Sequence, residues 1–319
     1  MPRMKIGISL TSFHATRDVR AGVRWMVERT AAAREAGLDS LFVGDHHVMP
    51  GPYYQNTAIM GRLLAEWGEA PAGCLFLLPL WNPVLLAEQV GTLASIAKGR
   101  FVMQCALGEG RPQFAGMGVN IKLRPSRFED GLDIIRKLLA GEVVTKEGRF
   151  PVREARINPV PPEPVDVWIG GSAEPSIDRA ARLGDAWIGG PELSPELAKR
   201  WIDYYRERCA AYGRALTPSP SPAQAGEGRR EPVIAIRRDI FVGESDAHAA
   251  GVAEPIVKAG YRGFEPSACT YGSPATVAAK FREYAAMGYT DIIVRHLTDE
   301  QELVLGSIKR LAEVREMVR

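Results

Sequence analysis

Two histidines and a carboxylate follow the second apolar run of the sequence, where Ser40–Val43 is succeeded by Gly44-Asp45-His46-His47. An imidazole changes its charge near neutral pH, so His46 could pass a proton or hydrogen-bond a carbonyl group. A lone histidine is more often an exposed or core-satisfied residue, but its place directly after an apolar run favours a chemical role for His46. The two interpretations are about equal for His47, and Asp45 could orient one of the rings.

The same Asp-His-His run could also form half of a metal site, because carboxylates and imidazoles suit divalent cations. Further ligands would have to follow other apolar runs, and the candidates are Glu109 and His296. The fifth, sixth and seventh runs offer glycine and serine instead of carboxylates or imidazoles. We therefore expect no metal.

Two segments could hold a phosphate. Gly170-Gly171-Ser172 follows an apolar run and precedes a helix that the pattern starts near Pro175-Ser176. Glycines allow close approach of a ligand, and a hydroxyl with free helix amides favours an anion. An ordinary tight turn is equally consistent with this segment. Arg127 precedes the amphipathic stretch Phe128–Leu139, and a guanidinium is a good phosphate partner, although most arginines are solvated surface groups.

A last polar pair, Arg295-His296, follows the final apolar run. A chemical role and an exposed or core-satisfied residue are both consistent with this pair.

Eight short apolar runs alternate with helical patterns along the whole chain. This alternation predicts repeated βα units and a single (β/α)8 TIM barrel, whose functional groups belong at the carboxyl ends of the strands. The predicted strands are Lys5–Leu10, Ser40–Val43, Gly73–Leu78, Phe101–Leu107, Asp166–Ile169, Ala186–Ile188, Val233–Val242 and Asp291–Val294.

Capping residues support the predicted helices. Gly37 would end the first helix, whereas Asn82-Pro83 and Ser273-Pro274 each place a capping side chain before a proline that starts a helix. A last helix is predicted from about Asp299 to Arg319.

We expect one domain over residues 1–319, with two interruptions of the βα rhythm. An inserted hairpin is predicted at about 141–164, where a Glu147-Gly148 turn separates two β-rich stretches. A flexible loop rich in Pro, Ser, Ala and Gly is predicted at about 216–232.

Composition narrows the function classes. The chain has 319 residues, of which 46% are hydrophobic and 24% charged, and its formal net charge is +2. This balance is typical of a soluble globular protein and does not indicate nucleic-acid binding. The four cysteines form no Cys-x-x-Cys pair and are expected to be reduced thiols. Without a recognisable leader or a membrane-length apolar run, a cytoplasmic location is the default expectation.

An ordered set of motifs resembles the bacterial-luciferase-like flavin monooxygenases together with their deazaflavin (coenzyme F420)-dependent relatives. Each motif is only moderately specific, but they occur in family order over nearly the whole chain. The matching stretches are Ala36–His47, Leu78–Gln89, Ala97–Phe101, Arg127–Leu132, Ile169–Ser172, Ala180–Trp187, Gly272–Pro274 and Met287–Tyr289.

The resemblance implies roles for particular residues. It places His46 beside the reactive edge of the flavin and Cys74-Leu75 at a strand bulge behind the ring, often with a non-proline cis peptide. Arg127 and Ser172, with the neighbouring glycines 170 and 171, match phosphate-binding positions of the luciferase-like enzymes. The chain departs from those enzymes at Leu107, where they can carry a phosphate-binding arginine. The following Gly108-Glu109 resembles the Gly-Glu of an F420-dependent sugar-phosphate dehydrogenase, in which the glutamate donates or accepts a proton.

Three functions therefore remain as hypotheses. The first is a monooxygenase that uses O2 and reduced FMN supplied by a separate flavin reductase. The second is an F420-dependent hydride-transfer oxidoreductase, and the third is a flavin-binding barrel without catalysis. The resemblance also implies a homodimer and a small-molecule substrate. The expected substrate-pocket residues are Thr11, Phe13, His47, Trp81, Arg295 and His296.

Overall fold

The computed structural model describes residues 4–214 and 233–318. Its fold is the (β/α)8 barrel that the sequence predicts: parallel strands alternate with helices in the order expected for βα repeats. The predicted flexible loop at 216–232 lies outside the described residues.

The chain divides into two compact units. The first, which we call the amino-terminal unit, consists of Ser9–Glu35 and Asp39–Asp166. Its helices and strands are α1 Val19–Glu35, β2 Ser40–Val43, α2 Asn56–Leu63, β3 Ala72–Leu77, α3 Pro83–Ile96, β4 Phe101–Ala106, α4 Arg111–Gly116, α5 Arg124–Leu139, β5 Val144–Lys146 and β6 Val152–Ala155.

Within this unit, β3 pairs in parallel with both β2 and β4. All four residues of β2 are buried, which is expected for a parallel strand covered on both faces. The predicted cap of α3 is confirmed, because the Asn82 side chain accepts hydrogen bonds from the amides of Val84 and Leu85. β5 and β6 form an antiparallel hairpin inside the segment where the sequence predicts one.

The second unit, the carboxy-terminal unit, consists of Met1–Ile8, Ala36–Leu38 and Val167–Arg319. Its helices and strands are β1 Lys5–Leu10, β7 Asp166–Gly170, α6 Glu174–Leu183, β8 Ala186–Gly189, α7 Pro195–Ala211, β9 Ile234–Val242, α8 Asp246–Lys258, β10 Cys269–Gly272, α9 Pro274–Met287, β11 Asp291–His296 and α10 Gln301–Met317.

The nine-residue strand β9 organises the carboxy-terminal unit. It pairs in parallel with β8, with β11 and, through its second half, with β10. β10 is not among the predicted strands, because it has only four residues and lies in a segment rich in glycine and proline. The predicted cap of α9 is confirmed, since the Ser273 hydroxyl accepts a hydrogen bond from the Thr276 amide.

Two predicted boundaries need correction. Helix α5 begins at Arg124, so Arg127 lies inside its first turn, because Pro125 takes an early helical position at which no amide hydrogen is required. Strand β11 continues to His296 instead of ending at Val294.

The four cysteines carry free thiols, and three of them are buried. Within residues 4–214 and 233–318, no helix combines the length and the apolar character that crossing a membrane requires.

Candidate active site

A buried carboxylate anchors the segment after β2. Asp45 is 1% exposed, and its Oδ2 accepts hydrogen bonds from the Leu77 amide and from Trp81 Nε1, each at 2.8 Å. A buried carboxylate must be satisfied by donors of this kind to remain in the interior. Asp45 therefore fixes the end of β2 against the end of β3.

The same carboxylate faces His47. Its Oδ1 lies 3.2 Å from His47 Nε2, and the imidazole makes an edge contact with the Trp81 ring at a centroid distance of 5.6 Å. Asp45 therefore bonds Trp81 and lies beside His47, although its Oδ1 and His47 Nε2 do not meet hydrogen-bond geometry.

His46 is exposed, unlike its two neighbours. Its Nδ1 lies 2.5 Å from the carbonyl oxygen of Asp45, and a carbonyl can only accept, so Nδ1 carries the proton. Nε2 is then the acceptor of the neutral ring, and it has no partner in the described part of the chain. The backbone carbonyl of His46 accepts from Gln55 Nε2 at 3.2 Å. The geometry leaves one imidazole nitrogen available to take up a proton.

Glu109 lies on the loop after β4 and is also exposed. It stands between Gly108 and Gly110, whose φ angles of 71° and 85° are in the left-handed region that glycine tolerates. Arg124 Nη1 donates to the Gly108 carbonyl at 2.8 Å and so holds this turn to the start of α5.

One buried side chain connects the two loops. The Gln113 amide donates through Nε2 to the Glu109 carbonyl and accepts through Oε1 from the His47 amide at 3.3 Å. Gln113 is 8% exposed, so these bonds are shielded from water. The loops carrying His46 and Glu109 are therefore held together by a single amide.

The predicted bulge at Cys74-Leu75 is not present. The pairing of β3 with β4 continues through both residues without a shift of register, and the cis peptide bond found in the described residues is Asn158-Pro159. Cys74 is completely buried, its Sγ lies 3.8 Å from the Asn56 carbonyl, and burial raises the pKa of its thiol. Cys74 therefore offers no surface to a ligand, whereas Leu75 is only partly buried.

Gln104 lies opposite Leu75 on β4 and was not singled out from the sequence. It is 6% exposed, and its Nε2 has no hydrogen-bond partner among the described residues. A buried amide donor without a partner is unusual and indicates a missing acceptor. The signal was present in the sequence, since glutamine is the only polar residue of the strand Phe101–Ala106.

Arg127 has a defined position on α5. Its Nε donates to the Pro79 carbonyl at 2.8 Å, and its guanidinium lies over the Phe150 ring at 4.2 Å. Burial and the nearby Arg149 lower the pKa of Arg127. The terminal nitrogens have no hydrogen-bond partner among the described residues and remain able to contact an anion.

Thr11 and Phe13 follow β1 in the amino-terminal unit. Thr11 is 5% exposed, and Phe13 pairs with Tyr53 through an antiparallel bridge. A side chain at Gly51 would collide with the Phe13 ring, since a Cβ there would lie 2.7 Å from it. The loops after β1 and β2 are thus packed against one another.

The Gly-Gly-Ser segment belongs to the carboxy-terminal unit, and the space around its second glycine is too small for a side chain. A Cβ at Gly171 would lie 2.2 Å from the Ser176 hydroxyl, which itself accepts a hydrogen bond from the Ala173 amide. Ser172 Oγ accepts from the Gly190 amide at 3.2 Å and retains its own hydrogen. Ser172 can still donate to a phosphate, while Gly171 is explained by the tight βα turn.

Arg295 and His296, the polar pair predicted at the end of β11, have different surroundings. His296 is 6% exposed, and its Nε2 lies 3.0 Å from the Ser307 hydroxyl, which also accepts from the Val242 amide. His296 is thus a buried histidine whose Nε2 is bonded to the Ser307 hydroxyl, and its place in a substrate pocket stays a prediction. Arg295 is partly buried and is paired in register with Asp239 of β9.

No group of three or more His, Cys, Asp or Glu side chains with the spacing of a metal site occurs among the residues that the structure describes.

Comparison with known proteins identifies the family. The model of the luciferase-like monooxygenase family matches residues 4–291. The chain belongs to this family. Members of this family are flavin- or F420-dependent oxidoreductases and monooxygenases.

A curated relative of this luciferase-like protein is named for its dependence on F420. An F420-dependent glucose-6-phosphate dehydrogenase from Beutenbergia cavernae is 30% identical over 176 residues, and the match covers 52% of each chain. The luciferase-like chain thus spans about half the length of the curated relatives that it matches.

Solved structures share the fold over almost the whole chain. An F420-dependent secondary alcohol dehydrogenase in complex with an F420-acetone adduct has a TM-score of 0.78 at 16% identity, with 99% of both chains covered. The oxygenating constituent of 3,6-diketocamphane monooxygenase from Pseudomonas putida, in complex with FMN, has a TM-score of 0.74 at 17% identity, with 97% of both chains covered.

Proposed function

We propose that this protein is an F420-dependent oxidoreductase that transfers a hydride between the deazaflavin and a small organic substrate bearing a hydroxyl group. The observation that carries the proposal is a pair of exposed side chains that can accept a proton, His46 and Glu109. They lie on two loops that the Gln113 side chain joins by hydrogen bonds. Oxidation of an alcohol releases a hydride and a proton, and it therefore needs a proton acceptor as well as a hydride acceptor. The F420-dependent curated relatives support the same cofactor.

The residues of the amino-terminal unit fit a flavin-like ring. Gln104 Nε2 is a buried donor without a partner, and the partly buried Leu75 lies opposite it on the neighbouring strand. Flavins and deazaflavins both carry ring carbonyl oxygens that could accept from such an amide, beside an apolar shelf. When bound, the deazaflavin would accept the hydride from the substrate carbon.

Two residues are assigned to the proton that the substrate hydroxyl releases. His46 Nε2 is the basic nitrogen of the neutral ring and is assigned the substrate hydroxyl proton, because Nδ1 is occupied by the Asp45 carbonyl. Glu109 is assigned the transfer of this proton onward to solvent, since its carboxylate is exposed on a turn held by Arg124 and Gln113. Asp45 contributes by fixing Trp81 and the end of β3 against the loop that carries His46.

The test is binding and turnover with both cofactors in parallel. We expect F420 to bind more tightly than FMN in equilibrium titrations, and the bound F420 to be reduced when hydroxyl-bearing substrates are screened by its absorbance. Tighter binding of FMN, with oxygen consumption when reduced FMN is supplied, would contradict the proposal.

Replacing Glu109 with glutamine should slow reduction of F420 by about 10²–10⁴-fold, the usual contribution of a positioned acid or base. The amide keeps the shape of the side chain but cannot exchange a proton, so the Kd for F420 should stay close to the wild-type value. Stopped-flow reduction and equilibrium titration measure the two quantities. Glu142→Gln, at another exposed glutamate of the same unit, serves as the control and should behave like the wild type.

A monooxygenase using reduced FMN, supplied by a separate reductase, is the second candidate. Arg127 favours it, because the unoccupied terminal nitrogens of its guanidinium suit the terminal phosphate monoester of FMN. Against it stands Leu107, at the position where luciferase-like enzymes can carry a phosphate-binding arginine.

Arg127→Gln provides a separate measurement for this candidate. If Arg127 holds the phosphate of FMN, the Kd for FMN should rise by about 10- to 100-fold, as expected for a hydrogen-bonded charge pair. Riboflavin, which lacks the phosphate, should lose no affinity. Arg62→Gln removes an exposed arginine of α2, whose partner is Glu66, and it should leave both affinities unchanged. An equal loss for FMN and riboflavin would show that Arg127 acts on the fold and not on the phosphate.

A further inference from the structure

A strained valine lies on the loop after β2, two residues beyond His46. Val48 has a φ of 55°, in the left-handed region where a β-branched residue is a genuine outlier. Such a conformation persists only where the surrounding structure compels it, and it is concentrated at functional sites. Val48 is also 58% exposed, so burial of its own side chain contributes little to offset the strain.

Helix α4 holds Val48 in this conformation. The amide of the preceding residue, His47, donates to Gln113 Oε1 at 3.3 Å. Both methyl groups of Val48 face Gly116, where a Cβ would lie 2.7 Å from Cγ2 and 2.9 Å from Cγ1. Gln113 and Gly116 are three residues apart, so the two contacts lie on one face of the helix. The valine is therefore fixed against α4 while more than half of its side chain faces solvent.

Exposed methionines continue this apolar surface on both loops. Met49 follows Val48 and is 36% exposed, and Met117 follows Gly116 and is 39% exposed. We call Val48, Met49 and Met117 the apolar rim. Single exposed apolar residues are ordinary, whereas several of them on two contacting loops are typical of a binding surface.

The apolar rim lies close to the two side chains that can accept a proton. Val48 is two residues from His46, so their Cα atoms are at most about 7 Å apart. Helix α4 separates Glu109 from Met117, and its six residues span about 9 Å. Both distances match the length of a small organic molecule. A substrate whose hydroxyl contacts His46 can therefore reach the apolar rim with its remaining atoms.

We propose that the apolar rim binds the hydrocarbon part of the substrate, so that the protein selects alcohols with an apolar chain beside the hydroxyl. Each methylene removed from water on such a surface raises affinity by about 4-fold. The strained backbone keeps the methyl groups of Val48 exposed for the ligand, and the unbranched methionines adapt to its shape. The assignment to the substrate rests on the proposed function, whereas binding of an apolar alcohol can be measured without it.

The alkan-2-ols from propan-2-ol to hexan-2-ol are the probes for the test. Their Kd values for the purified full-length protein are measured by NMR titration, with and without F420, and glycerol is the polar reference. We expect affinity to rise by about 2- to 4-fold per methylene along the series. Equal Kd values for propan-2-ol and hexan-2-ol would overturn the proposal, as would a failure of every alkan-2-ol to bind.

Val48→Asn tests the residue itself. Asparagine tolerates the left-handed conformation better than valine and removes both methyl groups while it keeps a side chain of similar size. The preference for hexan-2-ol over propan-2-ol should fall by about 10-fold, because two methyl contacts are lost. Tm should stay equal or rise, since the strain is relieved. A purely structural role of Val48 would instead lower Tm and leave the preference unchanged.

Val143→Asn is the matched control. Val143 is a valine of the same unit that is 56% exposed, and it is not among the residues with a positive φ. This variant should bind the whole series like the wild type. An unchanged preference in Val48→Asn would overturn the proposal. A change of oligomeric state in sedimentation, with the preference unchanged, would overturn it too and make the apolar rim an interface between copies of the chain.

Turnover separates this proposal from the proposed function. Where the longer alcohols bind through Val48 but no hydroxyl-bearing substrate reduces bound F420, the proposed function is refuted and binding of an apolar ligand at the rim is retained. Where short and long alcohols reduce F420 equally well in the wild type and in Val48→Asn, the proposed function stands and the selection by the apolar rim is refuted.

Discussion

Replacing His46 with alanine is expected to reduce turnover by about 10²–10⁴-fold while the Kd of the cofactor stays near that of the wild type. His46 is exposed, and its Nδ1 is occupied by the Asp45 carbonyl, so the main role left to the ring is to exchange a proton at Nε2. Removing the ring therefore removes the proton acceptor without emptying a packed core.

Three measurements separate this role from a structural one. Single-turnover reduction of the bound cofactor reports the chemical step, equilibrium titration reports binding, and thermal unfolding reports the fold. Added imidazole should restore part of the lost rate in His46→Ala, because it can occupy the vacated space. His248→Ala, at a histidine in the first turn of α8, is the control. Normal turnover of His46→Ala would refute the catalytic assignment.

Replacing Asp45 with alanine should have the largest effect on stability. The change leaves the Leu77 amide and Trp81 Nε1 without their common acceptor. Each buried donor left unsatisfied costs about 1–3 kcal/mol, so the free energy of unfolding should fall by about 2–6 kcal/mol. Chemical denaturation followed by tryptophan fluorescence measures this difference.

Asp45→Asn is the matched variant for that experiment. The asparagine side chain keeps one acceptor oxygen for the two donors but replaces the oxygen that faces His47 with an amide group. We expect it to retain much of the stability while the orientation of His47 is disturbed. Similar stability of the alanine variant and the wild type would show that Asp45 does not anchor the loop.

The barrel strands could be predicted closely because each is a continuous apolar run that must be buried on both faces. Two of the eight, Lys5–Leu10 and Ser40–Val43, have the predicted bounds, and the others differ by one or two residues at their ends. β10 could not be predicted, since four residues give too little periodicity and its pairing depends on the length of β9. The local pattern of apolar residues thus predicts the eight barrel strands. It does not predict β10, which forms only through its pairing with β9.

The candidate site could be predicted from the sequence only in part. The position of His46 after a strand was sufficient to select it, but the equally placed His296 is a core residue bonded to Ser307. Only the fold distinguishes these two histidines, because the partner lies eleven positions away on a helix. Gln113 was missed for the same reason, since an isolated glutamine has no motif and its importance comes from its hydrogen-bond partners. Gln104 was overlooked although its polar side chain interrupts an apolar strand.

The amide of Gln113 restricts which residues can stand at that position. It donates to one loop and accepts from the other, and a primary amide is the side chain that offers both at the end of an unbranched stem. A glutamate could only accept and a lysine could only donate, so either would release one of the loops. The spacing between the loops that carry His46 and Glu109 therefore depends on Gln113, a residue that takes no part in the chemistry. A substitution at position 113 would change the geometry of the reaction even though every reactive group remained in place.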